Sequence, residues 1–198
     1  VNEVLLHEVK RKAFHSLSAL YAVLFTLAGR EPTLWTLGSL FVVVGAVEAV
    51  RLRQPVFNER LVRLFGGIHR PEEVRRPSGI LWTLLGCFLT VLLIPDADIV
   101  LASLWYLALG DAVAGLVGRN WGRVRIGSKS LEGSLSCFLA CWLVGTLCLT
   151  PDFGRVETVL GALAATLFEL VPLPLNDNLW IPFLSGLVLT AFRHLAGA

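Results

Sequence analysis

Apolar residues in this chain do not alternate with polar ones; they gather into long runs separated by short, strongly charged segments. The runs cover 14–28, 34–50, 79–95, 99–118, 131–150, 156–171 and 179–196. A helix needs about 20 apolar residues to cross the hydrocarbon core of a bilayer, and these runs meet or approach that length, the first and sixth being the shortest. The pattern predicts an all-α, multi-spanning integral membrane protein with about seven transmembrane helices. No internal repeat, low-complexity tract or flexible linker interrupts it, so residues 1–198 are expected to form a single domain. Between the second and third runs, VFNERLVRLFGGIHR places Phe57, Leu61, Leu64, Phe65 and Ile68 at helical spacing, with Glu59, Arg60 and Arg63 elsewhere around the axis. That spacing fits a helix lying in the membrane interface, although Gly66 and Gly67 interrupt it.

Composition strengthens this picture. The chain is 55% hydrophobic and 16% charged, with a mean hydropathy of +0.70, whereas soluble domains are about 45–50% apolar. A net charge of +2, with no aromatics interleaved among the basic residues, excludes nucleic acid as an expected partner. Cys87, Cys137, Cys141 and Cys148 lie in apolar runs without metal-ligand spacing and read as small buried hydrophobes. The first twelve residues, VNEVLLHEVKRK, lack the pattern of a cleavable signal peptide.

The basic residues sort by loop. With the N-terminus inside, the cytoplasmic segments hold Lys10, Arg11 and Lys12, then the arginines between runs two and three, then Arg119, Arg123, Arg125 and Lys129. Only Arg30, Arg155 and Arg193 of the 17 Lys and Arg fall outside. The positive-inside rule then predicts a cytoplasmic N-terminus and an external C-terminus.

Ionisable residues in apolar spans are costly and therefore functional candidates. Here they are Glu48, Asp111 and Glu169, with Glu132 at the start of a span. All lie toward cytoplasmic helix ends, and Asp111 is the deepest. Ala114, Gly115 and Gly118 follow it at helical spacing, a small-residue strip that serves either helix packing or close approach of a ligand. Glu48 and Arg51, three residues apart, are most simply a helix-surface ion pair. His15, one turn after Arg11 and Lys12, suits either phosphate positioning and proton transfer or an ordinary interfacial contact.

After the Asp111 run comes RNWGRVRIGSKSLEG, whose Gly122–Ser130 portion misses the phosphate-cradling pattern G-x-x-x-x-G-K-[ST] by one residue and lacks its α/β context. The ingredients of an anion site remain. Gly127 frees the backbone, Lys129 and Arg119 supply charge, and Ser130 is placed to cap the next helix, whose N-terminus attracts phosphate. The final cytoplasmic turn, ELVPLPLNDNLWIP, puts Asn176, Asp177 and Asn178 together as a tip of turn-forming residues that also has the oxygen ligands magnesium prefers.

Together, G-D-A (110–112), G-R (118–119) and G-S-K-S-L-E-G (127–133) resemble the signature of the CTP-dependent lipid kinases, the group of dolichol kinase, phytol kinase and CTP-dependent diacylglycerol kinase. The resemblance extends to EVKRKAFH (8–15), EAVRLRQPVFN (48–58) and ELVPLPLNDNLWIP (169–182). It implies Mg2+-dependent phosphoryl transfer from CTP to the hydroxyl of a membrane lipid alcohol: a polyprenol, phytol or another prenyl alcohol, or diacylglycerol. Asp111, Lys129 and Asp177 are the implied catalytic residues, with Asp111 and Asp177 as metal ligands. Arg11, Lys12, His15, Glu48, Arg51, Gly115, Gly118, Arg119, Gly127, Ser128, Ser130, Glu132, Gly133, Glu169, Asn176 and Asn178 are the implied nucleotide or substrate contacts, at the cytoplasmic face of the bilayer. The related CDP-diacylglycerol synthases, cytidylyltransferases using CTP and phosphatidic acid, share the aspartate, the G-R and a K-x-x-E-G. They usually carry S-P-K-K-T where this chain has G-S-K-S.

Overall fold

Each of the seven apolar runs contains a helix. The computed structural model describes residues 12, 15–64, 74–147 and 153–197. Among them, eight helices follow in order: α1 (Ala19–Ala28), α2 (Arg30–Arg53), α3 (Pro55–Leu64), α4 (Gly79–Leu93), α5 (Ala97–Trp121), α6 (Leu131–Leu147), α7 (Arg155–Leu170) and α8 (Asp177–Ala196). By length and apolarity α2, α5 and α8 are long enough to cross a membrane, while α1, α4 and α6 are shorter apolar helices. The helical spacing read after run two corresponds to a helix, α3. Its Phe57 and Leu61 are half-buried and Leu64 is exposed, while Phe65 and Ile68 lie outside the described residues.

Local chemistry sets the helix ends. Gly29, at φ +81°, breaks the chain between α1 and α2, a conformation that glycine adopts without penalty. Asp96 caps α5 by accepting from Asp98 N at 2.9 Å and Ile99 N at 3.1 Å. Ser130 caps α6 through Gly133 N at 3.1 Å, and Asn176 caps α8 through Asn178 N at 3.0 Å. Because α8 already starts at Asp177, Pro182 lies inside the helix. Its missing N–H frees a carbonyl one turn back, and α4 packs there. A Cβ on Gly86 would stand 2.8 Å from Asn178 O.

α5 is the axis of the assembly. Two thirds of its apolar window is buried (67%), against 17% for α2 and 33% for α8. It meets α1, α4, α6, α7 and α8, while α2 packs on α1 and α4. Its middle, Tyr106–Asp111, widens into a π-helical turn, a form that recurs at functional sites. Cys87, Cys137 and Cys141 are buried free thiols, as their apolar setting predicts; Cys148 falls outside the described residues.

Candidate functional site

The wide turn of α5 ends at Asp111, which is 3% exposed and, by helical rise, roughly 15 Å from the C-terminal end of its helix. A lone carboxylate there would be costly. Lys12 supplies the counterion: its Nζ lies 2.7 Å from Asp111 Oδ2 and donates to the Asp111 carbonyl at 2.8 Å. His15 Nε2 is 3.3 Å from the same Oδ2 and 3.2 Å from Leu107 O. Two residues from the N-terminal segment thus close on a helix almost a hundred positions away.

The lysine reaches Asp111 only because Gly115 has no side chain. A Cβ there would overlap Lys12 Cε and stand 2.6 Å from Nζ. One turn on, Gly118 and Gly133 bring the backbones of α5 and α6 together. A Cβ on Gly133 would stand 2.8 Å from Ala114 O and 3.1 Å from Gly118 Cα, and a Cβ on Gly118 would stand 2.9 Å from Ser130 Oγ. The room left by this strip is filled by the chain's own atoms.

The basic segment after α5 is a hairpin rather than an irregular loop. Arg125–Ile126 (β1) pairs antiparallel with Lys129–Ser130 (β2), joined by Gly127 and Ser128. Gly127 takes φ +61°, as the first central residue of a type II′ turn requires. Glu132 closes the base of the hairpin, its carboxylate accepting from Val124 N at 3.2 Å. Arg119 and Ser128 are exposed.

The hairpin delivers Lys129 to a second cluster. Lys129 Nζ lies 2.7 Å from Glu169 Oε1 at the end of α7 and 2.8 Å from Asp177 Oδ2 at the start of α8. Burial alone would lower the pKa of this ammonium, but Asp177, Asp111 and Glu169 together hold it above the ordinary lysine value. The lysine therefore stays charged. The turn presenting Asp177 contains Leu175 at φ +73°, a strained conformation for a branched residue and one characteristic of functional turns. Asn178 is buried and donates to Gly79 O at 3.3 Å, tying the turn to α4.

Glu48 and Arg51 are not a surface pair. They are 6% and 2% exposed and joined by two hydrogen bonds of 2.9 and 2.7 Å. Arg51 also donates to Asn58 Oδ1 at 3.1 Å and Arg76 O at 2.7 Å, and Glu48 accepts from Ser78 N at 3.0 Å. This network folds α3 and the following segment against the end of α2, which explains its burial: an arginine fork can satisfy a carboxylate and two further acceptors at once. Arg11 lies outside the described residues.

Lys12, His15, Asp111, Lys129, Glu169 and Asp177 thus converge from five segments. Three carboxyl side chains face two ammonium groups there, with His15 beside Asp111. Glu169 Oε2, buried, has no hydrogen-bond partner. Among the described residues no three His, Cys, Asp or Glu side chains form a ready metal cage. Magnesium bound to a nucleotide does not need one; it takes one or two carboxylates and completes its shell with phosphates and water. The surplus of carboxyl groups and the unpartnered oxygen fit that ion.

A helical bundle with three helices long and apolar enough to cross a membrane, enclosing a buried cluster of charged side chains, has the build of an integral membrane protein. Comparison with known proteins defines it further. A protein of Saccharomyces cerevisiae named CTP-dependent diacylglycerol kinase 1 is 29% identical, covering 93% of this chain and 73% of its own. Its namesake in Eremothecium gossypii is 31% identical over 91% of this chain and 66% of its own. A protein of Synechocystis named phytol kinase is 37% identical over 45% of this chain and 42% of its own. No family model matches the chain, and no solved structure does. The chain belongs to the CTP-dependent lipid kinase family that its motifs resemble.

Proposed function

We propose that this protein transfers the γ-phosphoryl group of CTP to the hydroxyl of a membrane lipid alcohol, and that diacylglycerol is the acceptor to test first. The observation that carries the reading is the convergence of Lys12, Asp111, Lys129, Glu169 and Asp177 into one buried, ion-paired cluster. Three relatives that each cover more than nine-tenths of this chain are named CTP-dependent diacylglycerol kinase 1, which favours diacylglycerol over phytol or a polyprenol.

Phosphoryl transfer asks a protein mainly for positioning and charge stabilisation. Lys129 and Lys12, with Arg11 and Arg119 nearby in sequence, are assigned to phosphate oxygens. Asp111, deep in α5, is assigned to the lipid hydroxyl, which reaches it from the bilayer; it orients the oxygen and accepts its proton, while His15 and Lys12 hold the carboxylate in place. Asp177 and Glu169 are assigned to Mg2+, which supplies charge neutralisation on the triphosphate when bound. Asn176 and Asn178 shape that turn, and Gly127 with Ser128 forms the tip of the hairpin that places Lys129. The arrangement calls for seven spans, a cytoplasmic N-terminus, an external C-terminus and one domain with its site at the cytoplasmic face. The loop arginines support that orientation.

The deciding assay incubates purified protein in detergent with Mg2+, γ-labelled CTP, and diacylglycerol, phytol or a polyprenol, beside an Asp111→Ala control. Label is expected in the lipid and absent from the control. Pyrophosphate released with phosphatidic acid, and no labelled lipid, would instead make the protein a cytidylyltransferase.

A further inference from the structure

Lys129 stands where a divalent metal ion would fit. Its ammonium bridges Glu169 Oε1 at 2.7 Å and Asp177 Oδ2 at 2.8 Å, joining the end of α7 to the start of α8. One positive charge meets two carboxylates there. The second oxygen of Glu169 is left without a donor, in a side chain only 3% exposed. A buried acceptor without a partner is costly, and more so when charged. A divalent ion with six oxygen ligands would use both the second carboxyl group and the unpartnered oxygen. Lys129 is also the most readily displaced member of the cluster. It rides on a two-residue strand beside a two-residue turn, its side chain is 27% exposed, and its stem is flexible.

We propose that Lys129 is the resident counterion of a divalent-cation site formed by Glu169 and Asp177, and that it swings onto the nucleotide phosphates when the ion takes its place. The cation site needs no nucleotide; the destination of the lysine rests on the kinase reading above. The exchange gives order to the site. Without ligand the carboxylates are held together by a single positive charge, and the divalent ion that arrives with the nucleotide would replace one charge by two while the released ammonium follows the triphosphate.

Mn2+ binding without nucleotide, read by electron paramagnetic resonance on the full chain in detergent, tests the exchange. Lys129→Gln should bind Mn2+ at least about tenfold more tightly than the unchanged protein, because a competing charge in contact with the ion is gone. Adding Glu169→Gln to that variant should abolish the gain. In the unchanged protein, Mg2+ alone should raise the rate at which an amine-reactive reagent modifies Lys129, read by mass spectrometry, and leave Lys12 unaffected. The proposal is overturned if Lys129→Gln gains no affinity, if the gain survives Glu169→Gln, or if Mg2+ leaves Lys129 labelling unchanged. Lipid phosphorylation from CTP would persist in that case, so the two readings fail separately.

Discussion

Two charged clusters are set apart along the same three helices. In one, Asp111, Glu169 and Asp177 meet Lys12 and Lys129. In the other, Arg193 of α8 pairs with Asp96 before α5 and Glu157 of α7. By helical rise the two clusters are roughly 18–24 Å apart. In the Arg193 cluster every carboxylate oxygen has a use. Asp96 Oδ1 caps α5 while its Oδ2 meets the guanidinium. Glu157 accepts from Arg193 with both oxygens and from Gly154 N at 2.6 Å. The Phe153 ring covers the guanidinium at 5.6 Å. The Asp111 cluster keeps an unpartnered Glu169 oxygen and a lysine on a short hairpin. Both clusters have more carboxylates than cations, so charge alone does not separate them. The difference is whether the surplus is spent on helix caps and backbone donors or left available to a ligand.

The sharpest break of this contrast is Asp111→Asn. Losing a carboxylate that orients the reacting hydroxyl should lower the rate of lipid phosphorylation per folded molecule by about 10³-fold, or roughly 4 kcal/mol. Retention of more than about a tenth of the rate would make this cluster structural as well. Arg193→Met is the converse. It leaves Asp96 and Glu157 facing each other without a cation, so thermal or denaturant unfolding in detergent should register a loss of about 3 kcal/mol. The rate per folded molecule should stay unchanged; a fall in that rate would couple the two clusters.

The helices were legible in the sequence because each apolar run exceeds what a loop would carry, and the cap at Ser130 sits next to one of them; the cap at Asn176 emerged only in the structure. Sites assembled over long separations were legible only through motif resemblance. Nothing local to Lys12 points to Asp111, 99 positions away, or joins Arg193 to Asp96, 97 away. The Arg193 cluster, outside the resembling blocks, went unread. The π-helical turn at Tyr106–Asp111 carries no proline or other local marker, and the Gly127–Ser128 turn was obscured because two-residue strands have no alternating pattern to detect. Glu48 and Arg51 look like a surface pair at i, i+3 until Asn58, Arg76 and Ser78 are known to enclose them.

Gly115→Ala sharpens the account of how the site is held. The added methyl overlaps the Lys12 stem, so Lys12 must leave Asp111 although neither residue has changed. A loss of about 10- to 100-fold in kcat/KM for CTP is expected, or about 1.4–2.7 kcal/mol. Lys12→Ala and the Lys12→Ala/Gly115→Ala double variant should then behave alike, since the methyl has no lysine left to displace. Additive losses would mean that Gly115 serves helix packing instead.

Ser130→Ala separates two roles for the same hydroxyl. In the structure Ser130 Oγ accepts from Gly133 N at 3.1 Å and is 2% exposed, packed against the Gly118 backbone, so it already has a structural task. An N-cap serine contributes about 1 kcal/mol, and its removal should lower stability by that amount and quicken hydrogen exchange at Gly133. The hairpin carrying Lys129 would loosen at its base, raising KM for CTP a few-fold with kcat nearly unchanged. A drop in kcat approaching that of Asp111→Asn would show instead that the hydroxyl bonds the transferring phosphate, because a cap can weaken the scaffold of a site but has no means of acting on the transition state alone.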